Sequence, residues 1–181
     1  MQIFASDPDP IVCARNLDNA RVIKMIVETA QLLSTAVRKI NNEYGDIHNL
    51  YLAVPQGKAL SNWATGPVNM HWLITHGLAL SDELDRRGLS VGKFVRTREV
   101  LHLCKQFCER FNPQPHWAPS MFINATEQKR DGVNFKHILD THQAYKMYLT
   151  QRWEIQQRDA RVHLRPRWSF PAAKPDWAQF N

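Results

Sequence analysis

The chain has little cysteine, no leader-like start and no long apolar run. Three cysteines among 181 residues is an odd number in a chain long enough to fold without covalent staples, so a disulfide framework is excluded and a reducing compartment expected. Cys104 and Cys108 stand one helical turn apart with His102 nearby. Zinc sites draw on four ligands at looser spacing, so these are read as small helix residues, and neither metal nor cofactor is expected. The opening MQIFASDPDP lacks a positive n-region and an apolar h-region, so no secretory leader is expected. Charge interrupts every apolar stretch well before membrane-spanning length, so the expected placement is cytoplasmic, with no membrane partner. There is no internal repeat, no low-complexity tract and no run of alternating polar and apolar residues that suggests a sheet.

What is present suits a globular chain. Hydrophobic residues make up 44%, enough to cover a core, which excludes a disordered chain. The length fits one domain, 1–181, with 152–181 as an extended tail. The formal charge of +6 speaks about partners rather than fold. It points to a polyanion, with nucleic acid ahead of membrane because no basic amphipathic anchor is evident. A solvated Lys/Arg-rich surface is the plainer reading of the same number. Oligomeric state is not legible.

Residues 11–41 contain neither Gly nor Pro, and Val22, Ile26, Leu33 and Val37 recur as a helical stripe. The Asp and Pro residues of SDPDP are placed to start that helix. Turn residues after it predict a loop with one short helical turn. A second helix is expected from Pro67 to a stop at Gly88, a third over 97–111 before Asn112-Pro113, and a fourth over 134–153. The tail alternates Pro with Trp and Phe, too proline-rich for a helix and too aromatic to stand free in water. The expected fold is all-α: a single compact helical domain of about four main helices, with the tail packed on the body.

Asp18, Arg21, Lys24, Glu28 and Gln31 are spaced by three or four residues and share one face of the first helix. Spacing alone favours a solvated face with i,i+4 ion pairs. What singles the row out is its mixture of acid, base and amide, the arrangement that tunes proton donors and nucleophiles. Asn69, Trp72 and His76 share a face of the second helix, where core packing is the rival reading. His48 stands in the intervening loop. Two stretches concentrate positive charge: Arg86, Arg87, Lys93, Arg96 and Arg98, and then Arg152, Arg158, Arg161, Arg165 and Arg167 interleaved with Trp153 and Trp168. Arginine among aromatics suits phosphate contacts with base stacking, and equally an aromatic anchor with exposed arginines.

The block from Phe4 to Ala36, with Asp7-Pro8, Ala14-Arg15, Leu17-Asp18 and the run from Arg21 through Glu28 to Gln31, resembles small phage and bacterial proteins grouped with the pyrimidine-dimer DNA glycosylase (endonuclease V) family. Asn69, Trp72-Leu73 and the run from His76 to Leu80 continue the likeness, as do Ala144-Tyr145 with Tyr148 and Arg167-Trp168, so it covers most of the chain. The resemblance implies an all-α fold, a DNA partner and damage-directed DNA chemistry. In that chemistry an N-terminal α-amine attacks the sugar C1′ to form a Schiff base, and a glutamate assists. An α-amine is suited to this because it is partly unprotonated near neutral pH. Carried onto this sequence, Glu28 is the assisting carboxylate, Lys24 or the terminal amine the nucleophile, and Arg21 a phosphate ligand, with His76 near the chemistry. Asp18, Gln31, His48, Asn69, Trp72, Arg161 and Arg165 are the expected substrate contacts. Residue 2 departs from the pattern: a glutamine there leaves the initiator in place, so the amine is expected on Met1. A non-catalytic DNA-binding or host-interaction protein, and a phage enzyme modifying bases or nucleotides, are the two alternatives.

Overall fold

The computed structural model describes residues 2–55, 58–89, 92–111, 122–159 and 165–180. Asp9 opens the first helix, α1 (Pro10–Asn16), by accepting the Ile11 N–H at 2.7 Å, with Pro10 at the first helical position. The long apolar stripe then belongs to a second helix, α2 (Asn19–Ile40). The sequence predicts one helix across 11–41, and the structure breaks it at Leu17 and Asp18, both in extended conformation. The cause is Arg87, whose buried guanidinium donates to the carbonyls of Arg15 (3.0 Å) and Leu17 (2.6 Å) that a continuous helix would have used.

Two short helices follow, α3 (Asn42–Ile47) and α4 (Lys58–Trp63), and then α5 (Pro67–Arg86) and α6 (Val95–Phe111). Gly88 sits just beyond α5 with a φ of 66°, as its place in the sequence predicts. The last helix, α7 (Thr141–Gln157), starts later than the predicted residue 134, because Asp140 accepts the N–H groups of His142 and Gln143. Residues ahead of it form a small antiparallel pair, β1 (Glu127–Gln128) with β2 (Val133–Asn134), in which Glu127 faces Asn134. Two residues per strand leave no alternation to read.

Among the described residues the architecture is helical, with α2, α5, α6 and α7 as the four long elements. The buried cluster joins Met25, Ile26, Leu33 and Val37 of α2 to Leu73, Leu80 and Leu84 of α5 and to Val100, Leu101 and Phe107 of α6. Each such side chain contributes about 1.5–3 kcal/mol on burial. Cys104 and Cys108 lie inside it, their thiols pushed up to about 12 and about 11 by burial, which makes them apolar packing groups. The tail lies on the body: Trp153 is fully buried, stacked on Trp177 at 5.6 Å and edge-on to Trp168 at 5.1 Å. No helix of the described residues is long and apolar enough to cross a membrane.

Candidate nucleic-acid cleft between the second and last helices

Phe4 packs on α7, its ring 6.3 Å from Tyr145 and 6.1 Å from Tyr148, and His142 bonds the Ala5 carbonyl at 2.7 Å. This seats residues 2–5 beside α7 and opposite the first half of α2. A cleft of about 510 Å³ opens between them, a size that suits one nucleotide. Arg21, Lys24 and Glu28 enter it from α2, and Tyr148, Arg152 and Gln156 from α7 at i, i+4 and i+8. Gln2 and Phe4 close one side, and Glu127, Gln128 and Lys136 of the β1–β2 segment the other.

Each charged group has a partner of opposite charge. Glu28 pairs with Lys24 Nζ at 3.2 Å and accepts the backbone N–H of Gln2, also at 3.2 Å. The Gln2 side chain donates to the Ala125 carbonyl at 2.7 Å, which ties the N-terminal segment across the cleft. Arg21 is buried, bonded to Asp18 at 2.8 Å and to Gln156 at 3.0 Å, with its guanidinium 5.5 Å from the Trp153 ring centroid. Arg152 pairs with Asp131, and Lys136 with Glu127. The Lys136 hydrogen bond and charge hold the Glu127 carboxyl below its ordinary range. Burial pushes the Tyr148 phenol up, Glu28 adds to that, and the Arg21 cation pulls it back. Tyr148 is therefore a neutral donor at physiological pH. The lining sets four cations, Arg21, Lys24, Lys136 and Arg152, against two carboxylates, Glu28 and Glu127.

Three residues of the sequence-predicted row, Arg21, Lys24 and Glu28, meet in this cleft. Asp18 lies behind it, buried, holding Arg21 and accepting from Trp153 Nε1 at 3.1 Å. Gln31 points along α2 to the Leu52 carbonyl, 2.6 Å away. The others lie elsewhere. His48 ends α3 and packs on Tyr44, ring centroids 4.0 Å apart. Asn69 donates to the Trp63 carbonyl at 2.8 Å, and Trp72 to the Pro8 carbonyl at 2.7 Å. His76 is fully buried, bonded to the Pro10 carbonyl at 3.0 Å and stacked on Trp72. Trp72 and His76 thus tie α5 to residues 8 and 10, and Asn69 ties it to the end of α4. Arg165 is part-buried in the tail, and Arg161 lies outside the described residues. In the first arginine stretch, Arg86 and Arg87 pair with Glu83, Arg98 with Asp85, and Arg96 with Glu99.

Sequence reasoning did not reach Gln2, Lys136, Gln128 or Gln156 as cleft residues. They come to α2 from 26 to 135 residues away, as the Gln2–Glu28 and Arg21–Gln156 bonds illustrate, and no spacing rule spans that. Phe4 and Tyr148 had a signal, since both belong to the blocks that carry the family likeness.

The family model described as pyrimidine dimer DNA glycosylase matches residues 1–97, more than half of the chain, and the chain belongs to that family. That stretch holds the α2 row and the Gln2–Phe4 wall of the cleft. Neither the curated proteins nor the solved structures contain a match.

Proposed function

We propose, from membership of this family, that the chain is a DNA glycosylase with associated lyase chemistry, and that its substrate is a damaged or modified nucleotide taken into the α2–α7 cleft. One observation carries the reading: Glu28 stands within 3.2 Å of both Lys24 Nζ and the Gln2 backbone nitrogen, at a cleft lined by four cations. In this reading Glu28 serves an amine on Lys24 or one on Met1, the residue bonded to Gln2. Arg21 and Arg152 offer guanidinium N–H groups to phosphate, and Phe4 and Tyr148 offer rings to a base.

In the reaction the attacking amine gives a proton to Glu28, and its lone pair forms the bond to C1′. The C1′–N glycosidic bond breaks, its electrons leaving with the base, which takes up the second proton that the newly bonded nitrogen loses. The nitrogen lone pair then closes to C=N as the C1′–O4′ bond opens, and Glu28 returns its proton to O4′. Positioned proton transfer of this kind is worth about 10²–10⁴-fold in rate.

Incubation with abasic or dimer-containing duplex and borohydride tests this, because hydride reduces the C=N bond to a stable adduct. We expect a protein–DNA adduct that mass spectrometry places on Met1 or Lys24. We expect Glu28→Gln to slow its formation about a hundredfold or more, with DNA binding retained. Salt-dependent DNA binding with no adduct on either substrate would replace this reading with that of a non-catalytic binding protein or a different base-directed enzyme.

A further inference from the structure

Among the described residues, four helices start on an aspartate or asparagine, and three of them use its side chain as a cap. Asp9 accepts the Ile11 N–H, Asn41 that of Tyr44, and Asp140 those of His142 and Gln143. Asp18, at the head of α2, makes no such bond, although its backbone has the extended conformation of an N-cap. Its buried carboxylate turns elsewhere. One oxygen, Oδ1, accepts from Arg21 Nη1 at 2.8 Å and from Trp153 Nε1 at 3.1 Å.

Trp153 completes the arrangement from α7. Its indole has a single donor, which goes to Asp18, and the Arg21 guanidinium lies over its ring at 5.5 Å. That ring is itself held by Trp177 at 5.6 Å, Phe180 at 6.0 Å and Trp168 at 5.1 Å. Gln156, one turn along α7 from Trp153, accepts from Arg21 Nη2 at 3.0 Å. The guanidinium is therefore fixed at both arms of its fork and across its face. Of these groups Arg21 and Gln156 line the cleft, and Asp18 and Trp153 do not.

We propose that Asp18 is a positioning residue for Arg21: with Trp153 it sets the guanidinium so that its remaining N–H donors meet a phosphate of the nucleotide in the cleft. This rests on the DNA-binding part of the proposed function and not on its covalent chemistry. Arginine grips phosphate through a planar fork, so the angle of the guanidinium decides whether one bond forms or two. A side chain already held in place loses little freedom when the ligand arrives. Asp18 and a phosphate are both anions, which gives the idea a sign that charge alone does not share. By charge, Asp18→Asn makes the surroundings of Arg21 more cationic and tightens binding. By positioning, the same change frees the guanidinium and weakens binding.

The test is a double-mutant cycle on the full chain, read by fluorescence anisotropy of a labelled duplex carrying a stable abasic analogue. We expect Asp18→Asn to weaken binding about tenfold. It should also flatten the slope of log affinity against log salt by about one, as one phosphate contact is lost. Circular dichroism should match the wild type. In an Arg21→Gln background, Asp18→Asn should change neither quantity, because the group it sets is gone, whereas a merely structural aspartate acts equally in both backgrounds. Trp153→Phe keeps a ring and removes the Nε1–H, and should weaken binding about threefold, again only where Arg21 is present. It carries the test if Asp18→Asn does not fold. Unchanged or tighter binding, or an equal loss in the two backgrounds, overturns the positioning role and leaves the adduct result standing. Absence of duplex binding by the wild type overturns both. The expected cycle without any adduct supports the positioning role and sets the lyase chemistry aside.

Discussion

His76 is fully buried, with the Pro10 carbonyl as its hydrogen-bond partner. The Pro10 carbonyl accepts only, so Nδ1 carries the proton, and Nε2, the atom that would take a second proton, is buried without a partner. Burial pushes the imidazole down to about 4, against the opposing pull of the Pro10 carbonyl. Between about pH 6.5 and 4 the unfolded chain therefore binds a proton that the folded one refuses, and stability rises with pH across that window. The contribution is whole above pH 6.5 and is lost as pH falls toward 4, on the order of 3 kcal/mol in all. Urea unfolding at pH 7.5 and at pH 5 checks this. The midpoint should fall at pH 5, and His76→Phe, which cannot be protonated, should shrink the drop. An equal drop in the variant would show that carboxylates elsewhere cause it. At this scale the sequence marks His76 as notable, and the structure gives it the task of joining α1 to α5 through Pro10.

Helices were legible wherever the cause was local. Pro67 and Gly88 announce the ends of α5. The break between α1 and α2 had a local sign, Asp18-Asn19 inside the apolar stripe, but its cause is Arg87, 70 residues from Leu17. The start of α7 is set by Asp140, a cap concealed in the sequence by Phe135, Ile138 and Leu139 ahead of it, which fall at helical spacing. The site divides the same way. The Arg21–Lys24–Glu28 row follows from helical spacing, whereas its opposite wall arrives from α7 and the β1–β2 segment and needs the tertiary fold. Gly77, read from sequence only as part of the family block, proves to set how closely three helices approach. A Cβ there would stand 2.7 Å from Leu101 Cδ2 of α6 and 3.1 Å from Thr29 Cγ2 of α2. Leu101 is fully buried, so its methyl must move within the core to make room. Alanine is the better helix former by about 1 kcal/mol, yet overpacking costs about 1–3 kcal/mol. We expect Gly77→Ala to lower Tm by several degrees, measured by thermal melting, and Gly77→Val to lower it further. An unchanged or raised Tm for the alanine variant would mean that α6 shifts freely, contrary to this packing.

On the scale of the whole molecule, the question is whether DNA sees the cleft or merely the +6 of the chain. Both give binding that weakens with salt, because each phosphate neutralised releases counterions and adds about −0.9 to the slope of log affinity against log salt. Location separates them. Lys24 and Lys136 line the cleft with their side chains half exposed or more, 65% and 52%, so each can turn from its carboxylate to a phosphate. Lys105 and Arg110 are exposed on α6 and do not line the cleft. Replacing either pair by alanine removes two charges and changes the net charge equally. If the cleft holds the backbone, Lys24→Ala with Lys136→Ala should flatten the slope by about two, and Lys105→Ala with Arg110→Ala should leave it nearly unchanged. Fluorescence anisotropy of a labelled duplex between low and moderate salt gives both slopes. Equal flattening by the two pairs would assign the binding to diffuse surface charge. A larger effect from the α6 pair would move the interface to the other side of α2, away from Glu28.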